Sequence, residues 1–135
     1  MLKFYKATEY LDCISEQDFK LRYIKNNIRK MEHTKVFCIE TEETIAGFPD
    51  VMTLSYGSVA KFYEFKFSDR HGNIKFQPTQ PAFYKLNPEM EITVIAYNAK
   101  TGTVHNFHAS EIFDKESRYK IDPRAMINLC NAEVW

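Results

Sequence analysis

The sequence predicts an α/β domain in which α-helices flank a mixed central β-sheet on both sides. Three observations lead there. Candidate elements run in the order α-β-β-β-α-β, with a hairpin and short helices after them. Residues 59–67 are apolar at alternate positions on both faces, the pattern of a central strand covered from above and below. The chain has 135 residues, 44% of them hydrophobic, which is enough for one core and too few for two. Residues 1–135 are therefore expected to form one domain.

The elements follow in order. Residues 8–13 are compatible with a short helix or with irregular structure. Ser15, Glu16, Gln17 and Asp18 read as a helix start, a hydroxyl cap with an acid three residues on. Phe19, Tyr23, Ile24, Ile28 and Met31 recur at helical spacing, so the helix should run to about Glu32 and bury that stripe. Residues 36–39 predict a short buried strand, and 41–46 a polar, acidic connection. Two strands follow at 51–54 and 59–67, separated by Tyr56-Gly57-Ser58, and then a charged turn at 68–73. Pro78 suits the first turn of a helix, Pro81 is tolerable only that near its start, and Asn87-Pro88 ends it. Residues 91–97 have high β propensity, and Lys100-Thr101-Gly102 turns them into a strand at 104–107. A short helix is expected at 110–117 and another from Asp122-Pro123.

The chemistry concentrates between residues 47 and 80. Glu64 and Lys66 are two apart and share one strand face with Ala60 and Phe62. Asp50 lies one strand earlier. Two readings of these residues stand side by side: a site for a divalent cation and a phosphodiester, or an ion pair on an edge strand with Asp50 as an ordinary turn residue. Parity separates them. Asp50 shares a face with Glu64 only if it opposes an even-numbered residue, so opposed numbers must sum to 114 or 116. That requires an odd loop, expected as three residues with Gly57 at positive φ, or else a bulge.

Pro49-Asp50 followed by Glu64-Phe65-Lys66 resembles the signature of the PD-(D/E)XK nuclease superfamily. Gly47 ahead of it, and Pro78 with Gln80 opening the next helix, make the chain most similar to the VRR-NUC branch and archaeal-type Holliday junction resolvases, over about the middle third of its length. The resemblance implies a restriction-endonuclease-like core and a Mg²⁺-dependent DNA endonuclease, with Mn²⁺ as substitute, directed to branched or junction DNA. It assigns Asp50, Glu64 and the main-chain carbonyl of Phe65 to the metal, and Lys66 to positioning or deprotonating the attacking water. Gln80 takes the place of the family's glutamine, with Gln77 as fallback. A further acid is expected on the first helix. Glu16 is chosen over Asp18 and Glu32 because it lies three and seven residues before Phe19 and Tyr23, at the end of the inward stripe. A junction needs two symmetric cuts, which implies a homodimer.

The bulk composition limits the alternatives. Net charge is zero, which favours the rival reading of a catalytically silent nuclease-fold protein that binds a protein or nucleic-acid partner. Charge is nevertheless segregated: residues 1–35 and 59–85 each carry +3, whereas 36–58 carry −4. No apolar run approaches membrane-spanning length, and the first six residues are not a secretory signal. Cys13, Cys38 and Cys130 are odd in number and widely spaced, as reduced thiols of a cytoplasmic protein with no membrane partner would be. His105 and His108 are three apart in a strand, so they point to opposite faces and do not form a zinc site. Tyr5, Tyr10, Tyr84, Tyr119 and Trp135 are scattered and read as core rather than as base-stacking platforms.

Overall fold

A computed structural model describes residues 3–39 and 46–134. In chain order the elements are β1 (Phe4–Lys6), α1 (Glu16–Tyr23), β2 (Thr34–Cys38), β3 (Val51–Ser55), β4 (Lys61–Phe67), β5 (Asn73–Lys75), α2 (Thr79–Leu86), β6 (Ile92–Asn98), β7 (Thr103–His108), β8 (Met126–Asn128) and α3 (Leu129–Glu133). Six strands make one mixed sheet in the order β1-β7-β6-β4-β3-β2, and β5 pairs with β8 in a separate ribbon. Among the described residues only β4 and β6 run parallel, and α2 lies in the crossover between them. The expected α-β-β-β-α-β order is present as α1, β2, β3, β4, α2 and β6, with the short β5 inserted between β4 and α2.

Each face of the sheet has its own core. On one, Phe19, Tyr23, Ile24 and Ile28 of the first helical segment pack on Phe65, Ile95, Tyr97 and Val104. On the other, Phe83 and Tyr84 of α2, Leu129 and Ala132 of α3, and Ile74 and Ile127 of the ribbon pack on Val94, Ala96 and Phe107. Alternation along β4 and β6 feeds both, which is why β4 reads as apolar throughout.

The Ser15 hydroxyl caps α1, accepting from the Asp18 N–H at 3.1 Å. The helix continues as a π turn over Ile24–Ile28, where the Arg29 N–H reaches the Ile24 carbonyl at 2.9 Å, and ends there. Met31 is consequently exposed, and the helix stops short of the Glu32 that periodicity predicts. His33, at a positive φ of 55°, redirects the chain into β2. That strand is not buried as predicted: it is the sheet edge, with Phe37 and Cys38 exposed. An apolar run of four does not distinguish an edge strand from a central one.

The remaining differences are local. The helix expected at 110–117 is a 3₁₀ turn over Ala109–Phe113, closed reciprocally by the His108 ring and Glu111. Asp122-Pro123 starts no helix, because the Asp122 carboxylate accepts from the Arg124 N–H at 2.8 Å and Ala125 takes a φ of 60°. This makes a turn into β8. Residues 8–13 contain a 3₁₀ turn, Thr8–Tyr10. The connection expected at 41–46 lies almost wholly outside the described residues, as does Trp135. No helix among the described residues is long and apolar enough to cross a membrane.

Candidate active site

β3 and β4 pair with Val51 opposite Tyr63, Met52 opposite Phe62 and Thr53 opposite Lys61, so opposed numbers sum to 114. The intervening loop is odd, with Gly57 at φ 75°, although its five residues, 56–60, exceed the expected three. One step further along this register sets Asp50 opposite Glu64 and on the same face.

Another step would set Pro49 opposite Phe65. Proline has no N–H, so it cannot donate to the Phe65 carbonyl. The Phe65 N–H turns instead to the Asp50 carboxylate, at 3.4 Å. In a strand the N–H and C=O of one residue point to the same side. The Phe65 carbonyl therefore also lies on the Asp50 side, beyond the Val51–Tyr63 pair that ends the hairpin ladder. Gly47 allows this approach: at φ 87°, a Cβ there would sit 2.8 Å from the Phe83 Cβ and against the Thr79 carbonyl. A side chain at 47 would push the Pro49-Asp50 segment off α2.

Glu64 and Lys66 are both buried, 2% and 7% exposed. The Lys66 amine lies 4.0 Å from Glu64 Oε2, donates to Gln80 Oε1 at 3.0 Å, and sits 4.8 Å above the Phe76 ring. Gln80 Oε1 also accepts from the Gln77 N–H at 2.8 Å. The amide thus aims the amine and closes the start of α2. That differs from holding a water or a phosphate oxygen, the role its position suggests. Gln77 contributes its main chain, and its side chain is exposed.

Glu16 opens α1 at the far end of β4 and accepts from the Phe67 N–H. It keeps solvent contact, yet its carboxyl end is shielded enough for desolvation to raise its pKa. Lys66 opposes that rise and Asp50 adds to it. Glu64 is displaced furthest, pushed up to about 9 first by burial and then by the Asp50 charge, against the pull of Lys66. Its Oε1 is buried with no hydrogen-bond partner.

The geometry brings in one residue that sequence reasoning placed only in the core. The Tyr84 hydroxyl is buried without a partner, and burial followed by the charges of Glu64 and Asp50 pushes its pKa up. The available signal was helical spacing: Tyr84 is four residues after Gln80 and shares its face of α2. Tyr10 and Tyr119 are core residues, and Tyr5 is half-buried. His105 is buried among Thr103, Glu133 and Tyr119, and His108 caps the 3₁₀ turn.

Asp50, Glu64 and the Phe65 carbonyl are hard oxygen donors, which suit a divalent cation. Among the described residues no three His, Cys, Asp or Glu side chains group closely enough to enclose a metal. A cation here would rely on the two carboxylates, the main-chain oxygen and water.

No family model, curated protein or solved structure matches this chain.

Proposed function

We propose that this protein is a Mg²⁺-dependent DNA endonuclease with a restriction-endonuclease-like core. The observation carrying the proposal is the convergence of Asp50, Glu64 and Lys66 on one sheet face, with buried Glu64 Oε1 unpartnered. Asp50, Glu64 and the Phe65 carbonyl would hold Mg²⁺ or Mn²⁺, which supplies charge neutralisation at the phosphate and acidifies water. Lys66, aimed by Gln80, orients the attacking water and offsets the negative charge that builds on the phosphate. Glu16 and Tyr84 border the same space; the phenol is a ready donor to a water or a phosphate oxygen. Cutting of branched DNA would call for a homodimer, which sets two such sites in symmetric relation.

The second reading, a silent nuclease-fold protein with a protein or nucleic-acid partner, draws on zero net charge and on the absence of a three-carboxylate cluster among the described residues. One experiment separates the two. Linear, single-stranded, flapped and four-way DNA are incubated with Mg²⁺ and with wild type, Asp50→Asn and Lys66→Ala. Loss of one such catalytic group should lower the rate about 10²- to 10⁴-fold. Mn²⁺ should raise the melting temperature of wild type and leave that of Asp50→Asn unchanged. Full cleavage by folded Lys66→Ala would overturn the assignment.

A further inference from the structure

An open groove of about 620 Å³ lies at the other end of β3, lined by His33, Thr34, Lys35, Leu54, Ser55 and Tyr56. Its size is that of a small-ligand pocket. Lys35 and Leu54 oppose each other across β2 and β3. By alternation along β3 they share the sheet face of Asp50 and Glu64. Between the two places lie Phe37 and Met52, also opposed on that face, with Phe37 41% exposed.

Tyr56 is 93% exposed, yet its backbone is held. The Tyr56 N–H donates to the His33 carbonyl at 3.2 Å, the Ser58 N–H to the Ser55 carbonyl at 3.1 Å, and the Thr34 and Ser55 hydroxyls meet at 2.8 Å. His33 keeps its left-handed backbone at this wall, a conformation uncommon outside glycine. Among the described residues no Asp or Glu lines the groove, and Lys35 is the lysine on its wall.

A presented aromatic ring, an apolar Leu54, two hydroxyls and a lysine with no acid beside it among the described lining residues fit a nucleobase and its phosphate. A peptide partner would be expected to use the open backbone edge of β2 instead. We propose that this pocket binds an unpaired nucleotide of the DNA strand whose phosphate occupies the Asp50–Glu64–Lys66 site, making the substrate DNA with single-stranded character. From Asp50 to Leu54 is about 13 Å of strand. That corresponds to about four nucleotides at the stacked 3.4 Å rise. The inference relies on the endonuclease reading only for its choice of occupant.

The test measures anisotropy of labelled oligothymidylate and of a blunt duplex with the full chain in EDTA, where cleavage does not intervene. Tyr56→Ala and Lys35→Ala should each weaken single-strand binding about tenfold. Tyr56→Phe, which keeps the ring, should restore it, and Tyr56→Ala should leave duplex binding unchanged. Undiminished single-strand binding by Tyr56→Ala, an equal loss on duplex, or a change of sedimentation state marking the pocket as a contact between copies would each overturn the proposal. Cleavage with Mg²⁺ by wild type and Lys66→Ala is scored separately. A Tyr56-dependent binder that cuts nothing would retain the pocket and lose the nuclease, and the opposite pattern would do the reverse.

Discussion

Two residues without reactive groups position the candidate chemistry. Pro49 leaves the Phe65 carbonyl without a strand donor, and Gly47 lets the chain pass close against α2. Gly47→Ala meets both a left-handed backbone and a steric clash. The backbone alone costs about 1–2 kcal/mol. The variant should therefore melt at a lower temperature than wild type by more than that cost implies, and should lose Mn²⁺ stabilisation as Asp50 shifts; an unchanged melt would contradict the close approach. Gly47, Pro49, Asp50, Glu64 and Lys66 were all legible, because each acts through its own strand or turn. Tyr84 was not, because a buried aromatic reads as core until the carboxylates across from its hydroxyl are placed. Gln80 was found by position, but its bond to Lys66 belongs to tertiary structure.

At the scale of elements, the sheet meander and its crossover follow from apolar periodicity and turn residues, whereas the three-residue strands β1, β5 and β8 do not. Three residues are too few for a period, and each is a strand only because a partner lies beside it. The C-terminal helix shows how such pieces are held. Glu133 of α3 accepts from Thr101, from Thr103 and from the His105 ring on the sheet. Tyr119 and the stacked Phe4 ring enclose the same imidazole. Burial holds the His105 pKa below its usual value, although Glu133 pulls it up. Burial also raises Glu133, but its bonds to Thr103 and Thr101, and then the His105 charge, outweigh that and leave it lowered. A depressed histidine makes the unfolded chain the better proton acceptor, so its contribution to stability falls as pH drops below about 6.5. Glu133 adds a loss below about 4.5 as it protonates. The melting-temperature advantage of wild type over His105→Gln should therefore shrink from pH 7 to pH 5. A constant gap would show that the ring does not stay neutral in the folded state.

At the scale of the molecule, a chain with no net charge would have to bind the proposed DNA partner through local patches. Lys35 at the pocket and Lys66 at the acids lie along one face of the sheet. A few phosphate contacts of this kind imply that affinity falls about tenfold or more between 50 and 200 mM salt. Titrations at several ionic strengths measure this, and a flat response would favour a protein partner. The single parallel pair, β4 with β6, has a separate consequence for how the chain folds. Its register joins Phe62 to Ile92 and Phe67 to Tyr97, thirty residues apart, whereas β2–β3–β4 and β6–β7 join near neighbours. Closing so long a loop delays the parallel pair relative to the two hairpins. Gln80 and Tyr84 lie inside that loop, on α2. A newly made chain can therefore hold both hairpins, with Asp50 already beside Glu64, and still lack the helix that aims Lys66. The contacts that arm the site would then form only after the antiparallel strands on either side of it.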